Sequence, residues 1–281
     1  MAPSRVEGGL SLPRGRQHRR ARHGQPRAAP PGRAHGAGRR GHRLTRLFDS
    51  HCHLAFDALH ADLAGVARRA REAGVERILV PGVRGAPVTP PVEGIAISHA
   101  VGVHPLAAHE PLDVDALSAA AAGAVAIGEL GWDAGVEASR DTQDGVADAQ
   151  IELARQLDLP VILHVVGAHG HAVERLARHG SLSGVVHAYS GSAELVARYA
   201  ALGLHVSIGP SILRESARKP REAARAVPAD RLLIETDAPD QAPEPADVLR
   251  VARAVADARG EDLDALASRS FENACNLFAL E

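Results

Sequence analysis

Cysteine is scarce in this sequence, because Cys52 and Cys275 are the only two among 281 residues and they lie far apart. This number and spacing exclude a framework of disulfide bonds. Apolar runs are also short, and none approaches the roughly eighteen residues that a membrane-spanning helix needs. We therefore expect a protein of the reducing cytoplasm, with no membrane partner and no sign of an obligate protein partner.

Acidic residues are almost missing from the first part of the chain. Residues 1–46 contain twelve arginines and a single acid, Glu7, together with many glycines and prolines. A segment of this composition cannot bury enough apolar surface to offset the entropy of ordering it. We interpret residues 1–46 as a disordered, unselected extension ahead of a domain at 47–281. A nucleic-acid-binding arm and a transit peptide are the alternatives.

From residue 47 onward, short apolar segments alternate with stretches that have helical spacing. This alternation predicts an α/β fold with a parallel sheet, and eight strands predict closure into a (β/α)8 barrel. The predicted strands are 47–52, 76–82, 94–103, 124–129, 160–165, 184–188, 204–208 and 231–236. The predicted helices include 61–73, 141–157, 169–179, 192–202 and 246–258.

One connection departs from this pattern. Only residues 84–93 separate the second and third strands, and Pro87, Pro90 and Pro91 oppose a helix there. The segment is too short for an ordinary crossover between parallel strands. We expect the barrel to be degraded between strands 2 and 3.

The most informative pattern is a pair of histidines, His51 and His53, in the first apolar segment. Side chains at positions i and i+2 of a strand point to the same face. Neutral imidazole is the commonest side-chain ligand of transition metals. The pair therefore indicates a metal site if other ligands reach the same point.

Further ionisable residues lie where the other predicted strands end, and the carboxyl ends of barrel strands form one rim. Burying so many ionisable groups together is costly unless a metal compensates, which predicts a metal site. Two divalent ions fit the number of ligands, with Zn, Mn, Mg, Ni, Fe and Co as candidates. The residues are His51, His53, Glu129, His164, His187 and Asp237, with His104 nearby.

Two neighbouring ions need a bridging anion, and Glu129 on the fourth strand is the candidate. Some barrel hydrolases use a carboxylated lysine for this purpose. The chain has one lysine, Lys219, which lies in a polar segment away from any strand end. The lysine-bridged class is therefore excluded.

Six ordered segments resemble the TatD family of metal-dependent hydrolases, and the likeness covers 47–281. It continues into Asn-Ala-Cys-Asn-Leu-Phe at 273–278. The six segments are Phe-Asp-Ser-His-Cys-His-Leu at 48–54, Gly-Val-His-Pro at 102–105, Ala-Ile-Gly-Glu-Leu-Gly-Trp-Asp at 126–133, Leu-Pro-Val-Ile-Leu-His at 159–164, His-Ala-Tyr-Ser-Gly-Ser at 187–192 and Leu-Ile-Glu-Thr-Asp-Ala-Pro at 233–239.

The resemblance implies a barrel of the amidohydrolase superfamily that binds divalent metals and hydrolyses phosphodiesters, with deoxyribonuclease activity in several members. By matching position, it implies that the six residues named above are the metal ligands. It also implies that His104 lies near the scissile group. DNA or another phosphodiester would then be the substrate.

The mechanism we hypothesise uses water activated by the metals. Asp237 would orient or deprotonate this water, and His104 or Ser190 would donate a hydrogen bond to the phosphate. Arg214 is a candidate substrate contact. With Arg218, Lys219 and Arg221 it follows the seventh strand, although a solvated helix face explains the same charges.

Several positions depart from the family pattern and leave DNA specificity open. Val166 stands where the family usually carries a phosphate-binding arginine, and residues 240–245 form an acidic loop in place of one bearing arginine and asparagine. Trp132 and Ala134 also replace the usual residues. Two alternatives follow: hydrolysis of a small ester or amide at the same metal centre, or a nucleic-acid-binding protein with a vestigial barrel.

Overall fold

The computed structural model describes residues 45–281, in which strands and helices alternate along the chain. The predicted extension at 1–46 lies outside this range except for Thr45 and Arg46. The strands are β1 Leu47–Asp49, β2 Val75–Val80, β3 Arg84–Gly85, β4 Ala96–Val103, β5 Ala126–Asp133, β6 Val161–Val166, β7 Gly184–Val186, β8 Leu204–Ile208 and β9 Leu232–Ile234. The helices are α1 Asp57–His60, α2 Leu63–Glu72, α3 Val114–Ala120, α4 Arg140–Gln156, α5 His169–His179, α6 Ala193–Ala201, α7 Arg218–Ala226, α8 Val248–Arg259 and α9 Leu263–Leu277.

Eight of the strands form one parallel sheet in the order β1-β2-β4-β5-β6-β7-β8-β9. The two outer strands meet where the Ser50 amide donates to the Ile234 carbonyl at 3.1 Å. The sheet is therefore a nearly closed barrel of eight parallel strands, and this part of the prediction is confirmed. In residues 45–281, no helix is long and apolar enough to cross a membrane.

The connection from β2 to β4 contains β3 and no helix. β3 pairs antiparallel with the end of β4. β2 and β4 nevertheless pair in parallel from Arg77–Ala96 to Val80–His99. The sheet is thus continuous across the proline-rich connection.

The barrel interior is filled by inward side chains from successive strands, which form one cluster with helix α9. Phe48 of β1 packs edge-on against Phe271 of α9, with ring centroids 5.9 Å apart. Asn273 of α9 donates to the carbonyl of Leu232, the first residue of β9. α9 therefore covers the amino end of the strands, which leaves the opposite end for a site.

Strand β5 is longer than predicted, so one candidate ligand lies at a different position in the strand. It continues to Asp133, so Glu129 lies inside the strand and not at its end. The pairing with β6 shifts register between Gly128 and Leu130. Beyond the shift, a Cβ on Gly131 would lie 2.2 Å from the His164 carbonyl oxygen, so only glycine allows this approach. Glu129 lies at this irregularity, with its Oε1 atom 3.3 Å from Nδ1 of His164 on β6.

The five predicted helices correspond to α2, α4, α5, α6 and α8. Their observed ends lie within two residues of the predicted ones. Helices α1, α3, α7 and α9 were not in the predicted set. α7 contains three of the basic residues that follow the seventh strand of the barrel, Arg218, Lys219 and Arg221, whereas Arg214 precedes it.

Candidate metal centre

The six predicted ligands converge on one point at the carboxyl end of the barrel. Glu129 lies at the centre, and its side chain is almost completely buried. Its two carboxylate oxygens face different groups of imidazoles. The converging residues are His51, His53, Glu129, His164, His187 and Asp237.

The first group surrounds the Oε2 atom of Glu129. The Nε2 atoms of His51 and His53 lie 3.4 and 3.3 Å from this oxygen. The same two nitrogens lie 3.6 and 3.3 Å from Oδ1 of Asp237. Two imidazole nitrogens and two carboxylate oxygens therefore face one another, a donor set that suits a transition-metal ion.

The second group surrounds the Oε1 atom of Glu129. His187 Nε2 lies 2.9 Å from this oxygen, and His164 Nδ1 lies 3.3 Å from it. His104 Nε2 is more distant, at 3.7 Å. The two oxygens of Glu129 are thus divided between two sets of nitrogen donors.

Several of these atoms are buried without a hydrogen-bond partner among residues 45–281. They include His51 Nε2, Glu129 Oε2 and Asp237 Oδ1, which face one another in the first group. Unpaired buried polar atoms are costly, so a cluster of them aimed at one point needs a compensating ion. The residues present therefore fit a divalent cation.

The electrostatics of the centre keep its two carboxylates ionised. Burial by itself would raise the pKa of Glu129, but the facing charges of His51 and His187 outweigh it and hold that pKa well below its ordinary value. For Asp237, burial is likewise outweighed, chiefly by the close imidazole of His53, and the pKa is lowered. Both carboxylates therefore remain anionic ligands at neutral pH.

The imidazole of His104 is uncharged at neutral pH. Burial lowers its pKa to about 4, so the ring is neutral at pH 7. Its Nδ1 accepts a hydrogen bond from the Leu106 amide at 3.0 Å, which leaves the ring proton on Nε2. His104 therefore presents an N–H donor toward the centre.

Two carboxylates behind the imidazoles were not predicted. Asp133 Oδ2 lies 3.2 Å from His164 Nε2, and Glu235 Oε1 lies 3.5 Å from His187 Nδ1. Each acid contacts the ring nitrogen that faces away from Glu129, and so orients the imidazole. Both stand in the family-like segments at strand ends, but their sequence positions do not show which histidine they contact.

We expect Asp133→Asn to weaken metal binding roughly 10- to 100-fold, because the amide cannot orient His164 as a carboxylate does. Titration of the metal-free protein with a competing chromophoric chelator measures this change. Asp257→Asn, at an exposed position of α8, is the matched control and should leave the affinity unchanged. Equal affinities in both variants would show that Asp133 does not support the site.

The ends of β1 and β9 are tied together directly beneath the ligands. Buried Asp49 accepts hydrogen bonds from the amide and the hydroxyl of Thr236. The Asp237 amide in turn donates to the His51 carbonyl at 2.8 Å. These bonds hold the two segments that carry His51 and Asp237 in one geometry.

A cavity of about 140 Å³ opens onto the centre. Its lining contains no arginine or lysine, whereas Asp240 contributes an acid at its mouth. Ser190 lies outside this lining, with its Oγ 3.0 Å from His169 Nε2. Arg214 is exposed and also lies outside it. Their roles in substrate binding stay predictions.

The departures from the family pattern fall in two different environments. Val166 is exposed at the end of β6, and Ala134 is exposed just after β5. Trp132 is fully buried and donates from Nε1 to Asp144 at 2.7 Å, so it belongs to the packing between β5 and α4. Of these three positions, Val166 and Ala134 are the exposed ones, and Asp240 of the acidic 240–245 segment is exposed as well.

A barrel of eight parallel strands with buried histidines and carboxylates at its carboxyl end has the architecture and the donor set of a metal-dependent hydrolase. The chain belongs to the TatD related DNase family, whose pattern matches residues 48–279. It is 34% identical over 256 residues to the uncharacterized metal-dependent hydrolase YabD of Bacillus subtilis, covering 83% of this chain and 99% of YabD.

Two further relatives support this assignment. The 3'-5' ssDNA/RNA exonuclease TatD of Erwinia amylovora is 34% identical over 263 residues, which cover 83% of this chain and all of that protein. The crystal structure of YJJV, a TatD homolog from Escherichia coli, superposes with a TM-score of 0.74 at 30% identity. That match covers 85% of this chain and 100% of YJJV.

Proposed function

We propose that this metal-dependent hydrolase is a two-metal phosphodiesterase that cleaves single-stranded nucleic acid from an end. The observation that carries the proposal is the division of the Glu129 oxygens between two sets of imidazoles. A single carboxylate in this position can bridge two cations, which is the arrangement used for in-line displacement at phosphorus. The exonuclease name of the Erwinia relative supports the choice of substrate.

Each half of the centre would hold one ion. His51, His53 and Asp237 would bind the first together with Oε2 of Glu129, and His164 and His187 would bind the second together with Oε1. When bound, the two ions supply Lewis acidity toward the phosphate oxygens and lower the pKa of coordinated water. Zn, Mn, Mg, Ni, Fe and Co remain the candidates.

Asp237 would move a proton in this mechanism. Its Oδ2 accepts a hydrogen bond from Gln241 Nε2 at 2.9 Å, while Oδ1 has no hydrogen-bond partner and faces the centre. One oxygen is thus anchored and the other is free to orient the attacking water and take its proton. Its lowered pKa keeps the carboxylate in the basic form at neutral pH.

His104 would act as a hydrogen-bond donor to the substrate. Its neutral ring with the proton on Nε2 can stabilise charge that develops on a phosphate oxygen without a change of protonation state. Ser190 and Arg214 would contact the strand further from the scissile bond, at the rim. All of these roles require a phosphodiester whose reacting end enters the cavity.

We expect chelation of divalent metals to abolish hydrolysis of a single-stranded oligonucleotide, because the buried ligands alone cannot activate water. Adding back an excess of a single kind of divalent metal should restore the activity. Metal analysis of the purified protein and a panel of single-stranded DNA, single-stranded RNA, a generic phosphodiester and simple esters measure this. Duplex DNA is the matched comparison substrate. Hydrolysis confined to the simple esters would contradict the proposal.

A second candidate function is hydrolysis of a small ester or amide by the same centre. The composition of the cavity lining favours this candidate, because the lining contains no arginine or lysine and includes the acidic Asp240. Such a mouth offers no side-chain neutralisation of phosphates. The same panel of substrates separates the two candidates.

A further inference from the structure

We propose that Phe56 is a stacking platform for the nucleobase at the end of the strand being cleaved. The proposal rests on the proposed nuclease function and assigns a substrate contact that replaces cationic side chains. It concerns the mouth of the cavity and not the metal ligands themselves.

Phe56 is an aromatic residue held at the mouth of the site. Its ring lies parallel to that of His53, with centroids 4.6 Å apart and 19° between the planes. The Phe56 amide donates to the His53 carbonyl at 2.9 Å, which fixes the backbone as well. The ring is therefore preorganised beside a proposed metal ligand, within the reach of one nucleotide.

The exposure of Phe56 is not explained by folding. The residue keeps 37% of its surface exposed although it lies against the barrel. Leu106, which lines the same cavity, is 53% exposed, and Val166 at the end of β6 is 43% exposed. Two exposed apolar side chains, Phe56 and Leu106, thus line the cavity that opens onto the proposed metal centre, where a ligand can cover them.

The charges around the cavity favour an apolar contact with the substrate. Its lining holds no arginine or lysine, and Asp240 repels an anion. The side chains that line the cavity therefore supply no cationic neutralisation of phosphate at the cleaved end, on which nucleic-acid affinity usually depends. Base–aromatic stacking is the other common source of affinity for single strands, and it tolerates any base.

The size of the cavity agrees with this placement. A volume of about 140 Å³ is smaller than the roughly 300–1,000 Å³ of pockets that enclose a drug-sized ligand. The reacting phosphate can enter such a cavity while the base stays outside. Among the exposed large apolar residues described, Phe56 is the aromatic one, so it offers the face on which the base can stack.

The test compares Phe56→Ala with the parent enzyme on two single strands. One strand is a short oligothymidylate, and the other is identical except that the terminal nucleotide at the cleaved end is abasic. On the first strand, we expect KM to rise roughly tenfold or more with little change in kcat. On the abasic strand, we expect the two enzymes to have the same KM within about twofold, because there is no base for the Phe56 ring to stack on.

Two further variants exclude a merely structural effect. Phe56→Leu keeps an apolar side chain against His53 but lacks the aromatic face, and it should behave like Phe56→Ala. Phe56→Trp should restore the parent KM on the base-bearing strand. Val88→Ala, at an exposed position outside the cavity, should leave every parameter unchanged.

Binding is measured as well as turnover, by fluorescence anisotropy with a phosphorothioate version of each strand. The proposal for Phe56 is wrong if Phe56→Ala weakens both strands equally or weakens neither while the parent enzyme still cleaves DNA. If the parent protein loaded with metal neither cleaves nor binds either strand, the nuclease function fails and the stacking proposal falls with it.

Discussion

Replacing Glu129 by glutamine should remove nearly all hydrolytic activity, with a fall in kcat/KM of at least about 10³-fold. Its two oxygens face two separate sets of imidazoles, so one substitution weakens both halves of the centre. An amide keeps the size of the side chain but removes the negative charge that two cations would share. Metal content after dialysis and steady-state kinetics measure the two effects together.

The variant should still fold, because Glu129 faces the centre and not the apolar clusters of the barrel. Thermal unfolding of the metal-free proteins tests this, and the midpoints should be similar. Glu152→Gln, at an exposed position of α4, is the matched control. A Glu129→Gln enzyme that retained two metals and near-parent turnover would exclude a bridging role.

Replacing Asp237 by asparagine should lower kcat about 10²- to 10⁴-fold, which is the range for loss of a positioned general base. The neutral amide can still accept a hydrogen bond from Gln241 through its oxygen, so the local structure should persist. What is lost is the free anionic oxygen that faces His51 and His53. Pre-steady-state kinetics on a single-stranded oligonucleotide measure the chemical step directly.

Metal content must be measured in the same preparation, because Asp237 is also a proposed ligand. Addition of excess metal separates a loss of binding from a loss of proton transfer, since only the former is rescued. Asp257→Asn, at an exposed position of α8 outside the cavity lining, is the control. Parent turnover by metal-loaded Asp237→Asn would show that another group takes the proton.

The positions that could be predicted from sequence are those set by local periodicity. Residues 169–179 were predicted as a helix with the observed ends, because apolar spacing and a final glycine mark it. His51 and His53 are two residues apart, so their side chains were predicted to point to the same face of the chain. Glu129 was predicted at a strand end, yet it lies inside β5, which continues to Asp133. The sequence of one strand does not specify this, because the length of β5 and its register shift at Gly128 depend on pairing with β6.

Other features depend on contacts between distant parts of the chain. Asp133 and Glu235 are ordinary acids in the sequence, and only the folded barrel places each behind one histidine. The same is true of Phe56, whose exposure beside His53 no periodicity predicts.

The sequence by itself determined the alternating elements, the parallel barrel and the identity of the converging side chains, because these follow from short-range spacing and the common direction of the strands. Tertiary structure alone decided how the two oxygens of Glu129 are shared, which acid orients each imidazole, and what surrounds the mouth. The physical reason is that such contacts join residues far apart in the chain, at distances of a few ångströms that local patterns do not specify.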